Sequence, residues 1–410
     1  MTDRLLLLLP TTTYRTEAFI AAARALGVDL VCASEKPNVF EAEAPEHLLT
    51  LDFADPDDAA ATVAVFQEAR PLRAVVGVDD TTTVVAAAIA ERLGLRANPV
   101  AAAGAARNKL EMRRRLHDAG VPCPRFRPID LHGDLARAAR EAKFPCVLKP
   151  LTLSASRGVI RADDPPEFVA AVERIRALLA GPDVSVTGEA ARTILAEEFV
   201  PGREVALEGL LVDGRLHALA LFDKPDPLDG PFFEETIYVT PSRLPHDVQE
   251  RITTVTAHAC AALDLTEGPI HAEVRVNDRG PWVIEVAARS IGGLCSRTLR
   301  FGTGMTLEEI ILRHALRWPI ASLQRERRPA GVMMIPIPRA GRLRAVHGVA
   351  EAEAVTGIEE VAVTAHLTQE LVPLPEGWQY LGFIFARAES PEAVESALRA
   401  AHARLRFDID

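Results

Sequence analysis

The run His271 to Arg289, HAEVRVNDRGPWVIEVAAR, sets two carboxylates where a cation is wanted. Two alternating apolar stretches flank the polar turn NDRG, a pattern that predicts a β-hairpin. With the turn centred near Arg279, Glu273 stands opposite Glu285, while Ala272, Val274 and Val276 meet Val286, Ile284 and Trp282 on the other, core-facing side. Opposed side chains sit ~4.5 to 5.5 Å apart at Cβ, so the two glutamates repel unless a cation, a shared proton or full solvation relieves them. Arg289 continues the same parity through Ala287. Two carboxylates and an arginine on one face suit a magnesium ion, its phosphates and the charge that develops on a transferred phosphoryl group.

Two further patterns carry charge at useful spacings. Lys149 ends an apolar strand and is followed by Ser154-Ala155-Ser156-Arg157-Gly158. Small residues let backbone N–H groups approach an anion closely, and a lysine at the base adds a point charge; the alternative reading is a plain β-turn. The segment AEEFVPGREV offers Glu197, Glu198 and Val200 before a Pro-Gly turn and Glu204 after it. Such a strand end can present backbone groups to an adenine edge and a carboxylate to two ribose hydroxyls, or be merely a charged hairpin. Only five lysines, Lys36, Lys109, Lys143, Lys149 and Lys224, stand among 46 basic residues, which marks the survivors as places where a compact ammonium is wanted. Lys224, just ahead of Glu235, is balanced between a solvated turn and a substrate contact. The histidines at 217, 258, 314, 347, 366 and 402 lack ligand spacing and read as surface or core residues.

The elements that must position these residues fall into three regions. Residues 1–98 alternate strand and helix, which predicts a doubly wound α/β domain with a parallel sheet. Its first turn, PTTTYR, lacks the GxGxxG fingerprint of a dinucleotide site. Residues 99–320 open with one helix through AAGAARNKLEMRRRLHDAG and continue as mixed α+β with antiparallel pairing. Residues 321–410 form a C-terminal α+β lobe. With 410 residues the chain has room for such a multidomain enzyme. A net charge of −11 and the absence of a basic run argue against nucleic acid and anionic membranes as partners. The opening MTDRLLLLLP is shorter than a signal peptide's apolar region and reads as a buried first strand. Five dispersed cysteines without a CxxC pair suggest reduced thiols and a cytoplasmic setting.

Lysine on a helix, lysine before a small-residue loop, the EEFVPGRE strand and turn, and a glutamate hairpin ending in arginine follow one another in an order that resembles the ATP-grasp superfamily. The resemblance covers about residues 99–320, and the run EVAARSIGGLCSRTL is most similar to the L-amino acid ligases. It implies ATP with Mg²⁺ (or Mn²⁺), Lys109 and Lys149 on the nucleotide phosphates, and a loop from Ser154 through Ser156 to Gly158 closing over them. It further implies Glu197 with backbone groups of Glu198 and Val200 at the adenine, Glu204 at the ribose, and Glu273 and Glu285 as metal ligands. Arg289 would stand beside the acyl-phosphate and tetrahedral intermediate, and Glu235 near a substrate amino group. The activity implied joins a carboxylate, an amino acid by resemblance, to an amine in an amide or dipeptide, with a homodimer as the expected assembly. Alternatives are an ATP-grasp enzyme with another acceptor, carboxylase-like or of purine-pathway type, or a catalytically idle ATP-binding protein. Two departures stand out: Ala287 where the family commonly has asparagine, and Tyr238 where dipeptide-forming relatives carry histidine.

Overall fold

The computed structural model describes residues 3–410; Met1 and Thr2, which begin the run MTDRLLLLLP, lie outside the described residues. The leucines form the strand Arg4–Leu8, paired in parallel with Asp29–Ser34 on one side and Ala74–Gly77 on the other, while Leu48–Thr50 extends the edge. A strand covered on both faces has no polar side, hence the unbroken apolar run. Leu6 and Leu8 pack with Val63 and Ile89 of the helices Pro56–Ala69 and Asp80–Arg92. Leu5 and Leu7 pack with Phe19 of helix Thr16–Leu26 and share that core with Ile310 and Ile311 of helix Leu307–Ala315. The doubly wound domain is thus joined to the rest of the chain through one of its two cores.

The helix expected across residues 102–120 is two helices, Val100–Arg107 and Lys109–Asp118. Asn108 breaks them with an extended backbone (φ −92°, ψ 110°), and its side chain accepts from the N–H groups of Leu110 and Glu111 at 3.0 and 3.2 Å. An N-cap of this kind satisfies donors that would otherwise be orphaned and stabilises by ~1 kcal/mol. It also fixes Lys109 at the first turn of the second helix.

Two antiparallel sheets frame what lies between. The smaller runs Phe126–Asp130, Thr193–Glu198, Cys146–Pro150, Ile160–Ala162, with helix Pro165–Leu179 packed on it through Phe168, Val172 and Ile175. The larger has eight strands in the order Gly280–Ala287, Gly268–Asn277, Arg203–Val212, Arg215–Asp223, Ile237–Thr240, Ala330–Ile335, Gly382–Arg387, Ile358–Val363. The last three belong to the lobe expected from residue 321, so that lobe continues the central sheet.

The hairpin differs from its expected register in an informative way. Glu273 does pair with Glu285 and Ala272 with Val286, but a bulge after Glu273 shifts the remainder, so that Val274 meets Val283 and Arg275 meets Trp282. A bulge adds one residue to one strand and reverses facing beyond it. Val283 joins Val274 and Val286 in the core against helix His246–Ala262, and Ile284, expected in that core, faces the cavity instead.

Candidate active site

Between the two sheets and the N-terminal domain lies a cavity of about 1070 Å³. Lys109, Lys149, Ser154, Ser156, Glu197, Glu198, Val200, Glu204, Glu235, Glu273, Glu285 and Arg289 all line it. Gly158 does not, and its role is local: at φ +71° a Cβ would stand 2.7 Å from Pro150 and 2.9 Å from Leu178, so only glycine closes the loop against them.

One end of the cavity is rich in cations. Lys149 leaves its strand beside Glu197 of the neighbouring strand, Nζ to carboxylate 2.6 Å, and Arg113 of helix Lys109–Asp118 reaches the same carboxylate at 2.7 Å. Glu197 is only 2 % exposed; burial alone would raise its pKa, but Arg113 and Lys149 hold it below the usual carboxylate range. Its carboxylate therefore orients Lys149. Lys109 donates to the Leu153 carbonyl at 2.8 Å and lies 3.3 Å from Glu285. The nearby backbone is partly committed: the Glu198 N–H donates to the Arg125 carbonyl, and the Val200 carbonyl accepts from Arg275.

The small-residue loop does contain a β-turn, the Arg157 N–H donating to the Ser154 carbonyl at 3.2 Å, but it is of the mirror-image kind. Ala155 and Ser156 are both left-handed, at φ 55° and 54°, a conformation costly for residues with a Cβ and concentrated at functional sites. Ser154 Oγ donates to Asp80 at 2.9 Å, Arg157 Nε donates to the Glu376 carbonyl at 2.7 Å, and the Gly158 N–H to the Pro375 carbonyl at 2.8 Å. The loop thus touches both the N-terminal domain and the C-terminal lobe.

The other end is rich in carboxylates. Lys224, buried rather than solvated, places its ammonium against Glu204 at 2.8 Å, Glu273 at 3.2 Å and Glu235 in a shorter contact. Burial opposes its charge, yet the three carboxylates keep its pKa well above the ordinary lysine value. Glu204 also accepts from Arg275 Nε at 2.8 Å, so both its oxygens hold a cation, each with a lone pair left for a hydroxyl. Glu235 accepts from Tyr238 at 2.7 Å; burial, with the charge of Glu273, outweighs Lys224 and pushes its pKa up to about 7. Glu273, by contrast, lies well below the usual range: burial would raise it, and Lys224 and His271 prevail.

Arg289 donates to Asp80 Oδ2 at 2.8 Å and to the Ser290 carbonyl at 3.0 Å. Burial would weaken its charge, but Asp80 raises its pKa, and Arg289 in turn lowers that of Asp80 against the same burial penalty. Asp80, Arg113 and Glu208 were not singled out from sequence, because each meets its partner across a large separation in the chain. His271 carried a signal that was there to read: it shares the parity of Glu273 two residues on.

The donor set fits a divalent cation. Glu273 and Glu285 offer hard oxygens from paired strands, and both already draw an ammonium, from Lys224 and Lys109. Glu204, Glu235 and Glu273 also bring oxygens within 4.8 Å of one another, but Lys224 contacts all three.

Models of three families match the chain in order: ATP-grasp N-terminal domain at residues 20–96, ATP-grasp domain at 142–298, and L-amino acid ligase C-terminal domain 2 at 333–410. Alanine–anticapsin ligase of Bacillus subtilis (strain 168) is 30 % identical over 237 residues, 54 % of this chain and 49 % of that protein. Carnosine synthase 1 of Homo sapiens is 26 % identical over 326 residues, 75 % of this chain and 39 % of that one. The matched region thus spans about half, or less, of the length of these curated relatives. The crystal structure of an L-amino acid ligase from Bacillus licheniformis superposes with a TM-score of 0.81 at 26 % identity, covering 100 % of this chain and 99 % of that chain. Among the described residues no helix is long and apolar enough to cross a membrane.

Proposed function

We propose that this chain, which belongs to the ATP-grasp superfamily, is an ATP-dependent carboxylate–amine ligase that activates an amino acid's carboxylate as an acyl-phosphate and joins it to an amine, releasing ADP and phosphate. The observation that carries the proposal is one cavity holding Lys109 and Lys149 at one end, Glu273 and Glu285 on paired strands, and Arg289 beside them. Amino acids are proposed as the substrate class because the relatives named above are ligases or synthases of that kind.

In this reading Lys149, oriented by Glu197 and Arg113, and Lys109, pinned by the Asn108 cap, bind nucleotide phosphates as point charges. Glu204 takes the ribose hydroxyls through its remaining lone pairs. The loop Ser154–Gly158, tied at both ends, covers the phosphates and excludes water that would hydrolyse the acyl-phosphate. Glu273 and Glu285 would hold Mg²⁺ or Mn²⁺, which when bound neutralises charge on the transferred phosphoryl group. Arg289, kept charged by Asp80, stabilises the acyl-phosphate and the oxyanion of the tetrahedral intermediate. Glu235 stands ready to take a proton from the attacking ammonium, its pKa near 7 matched to that task. A cytoplasmic homodimer completes the proposal; five unpaired cysteines agree with a reducing compartment, and sedimentation reads the assembly.

Phosphate release from Mg·ATP with pooled L-amino acids, resolved by single omission and mass spectrometry, tests the reading. The expected product is lighter than its two substrates together by one water. ATP binding without turnover in any amino acid pool would overturn it and favour an idle nucleotide binder or a different carboxylate.

A further inference from the structure

Glu208 sits mid-strand in Arg203–Val212 with 0 % of its surface exposed, where an unpaired carboxylate could not be sustained. One oxygen holds Nδ1 of His271, and the other accepts the Ile291 N–H at 3.0 Å. His271 is 7 % exposed and lines the cavity, with Nε2 aimed at Glu273 and 3.9 Å from its Oε1. That distance is too long for a hydrogen bond, and among the described residues nothing bonds Nε2. Across the hairpin His271 faces Ala287 directly, so only a methyl group stands opposite the ring.

A carboxylate on one ring nitrogen and an open cavity at the other is how proteins aim histidine at a metal ion: the carboxylate fixes the ring and makes Nε2 a better donor once the incoming ion displaces its proton to solvent. Two ligands bound at ~2.1 Å to one ion lie roughly 3 to 4.3 Å apart, so Nε2 and Glu273 Oε1 already stand at a ligand spacing. Lys224 shares that Glu273 oxygen at 3.2 Å, and entry of an ion loosens this contact.

Resting on the ligase reading, we infer that His271 Nε2 ligates the divalent ion held by Glu273 and Glu285, that Glu208 is its positioning residue, and that the site prefers Mn²⁺ over Mg²⁺. The preference follows because an imidazole in the set disfavours the harder, oxygen-seeking magnesium.

The test is pulsed EPR of Mn²⁺ with ADP on the full chain, prepared once at natural abundance and once with ¹⁵N-histidine. A ¹⁴N coupling that becomes ¹⁵N on labelling is the expected result, and it needs no variant; the label separates histidine from adenine nitrogen. His271→Gln removes the coupling and weakens Mn²⁺ roughly 10- to 100-fold by calorimetry, whereas Glu208→Gln keeps the coupling and weakens Mn²⁺ about tenfold. Mn²⁺ that binds without histidine coupling overturns the inference and leaves the ligase reading standing. Failure of Mn²⁺ to bind the ADP complex at all overturns both.

Discussion

Lys149 and Lys224 are both buried lysines on the wall of one cavity, yet their surroundings are opposite in sign. Around Lys149 one carboxylate, Glu197, is shared by two cations, Lys149 and Arg113. Around Lys224 three carboxylates, Glu204, Glu235 and Glu273, share Lys224 and Arg275. The first end has positive charge to spare for an anion, the second has negative charge to spare for a metal ion or an ammonium. Their glutamates differ as well: Glu197 is held below its usual range by two cations, whereas around Lys224 the carboxylates divide, Glu273 held low and Glu235 pushed up to about 7. Under the ligase reading, a cavity so polarised would orient a nucleotide and its ion by charge before any specific contact is made.

Four experiments would break or sharpen this contrast. The largest effect is expected at the boundary between the two ends, where Glu285→Gln should cut ADP release by a factor on the order of 10² to 10³ with an unchanged circular dichroism spectrum. Undiminished turnover would show that the carboxylates do not serve the phosphoryl group. Next, Lys224→Met leaves Glu204 with Arg275 but takes the ammonium from half-buried Glu235 and Glu273, and should cost ~1 to 3 kcal/mol in denaturant unfolding, whereas Lys149→Met leaves Glu197 with Arg113 and should cost clearly less. Equal losses would mean the two lysines share one kind of environment.

Third comes pH. A carboxyl raised from about 4.5 to about 7 in the folded state favours folding at low pH, and its contribution is lost as pH rises through that window; Glu197, lowered on folding, contributes above its unfolded value and is lost as pH falls. Glu235→Gln should therefore flatten the stability profile between pH 4.5 and 7 and leave the acid limb unchanged, as chemical denaturation across pH will read. Smallest is Glu376→Gln, which removes an exposed pair with Arg174 outside the cavity and should shift stability by under ~1 kcal/mol.

Much of the cavity was legible because its charged residues lie in local patterns. The order of lysine, small-residue loop, EEFVPGRE and hairpin survives folding, and so does the opposition of Glu273 and Glu285. Misread were places where one backbone decision reverses facing. The bulge after Glu273 sent Val283 to the core and Ile284 to the cavity, and an apolar alternation alone carries no mark of it. Asn108 interrupts an alanine-rich run whose periodicity continues on both sides, so two helices read as one. Hidden altogether were partners far away in the chain: Asp80 for Arg289, Arg113 for Glu197 and Glu208 for His271. Lys224 was visible as a rare lysine, but only the fold brings Glu204, Glu235 and Glu273 around it.

The continuity of the eight-stranded sheet bears on how this scaffold can be engineered. Ile237–Thr240, every residue buried, is bonded on its far side to Ala330–Ile335 of the C-terminal lobe. A truncation or lobe exchange cut near residue 320 would expose that strand as a bare edge, an open template for intermolecular pairing. Chimaeras with related enzymes should therefore keep Ala330–Ile335, Gly382–Arg387 and Ile358–Val363 together with the parent sheet; cuts near 320 are expected to give insoluble protein.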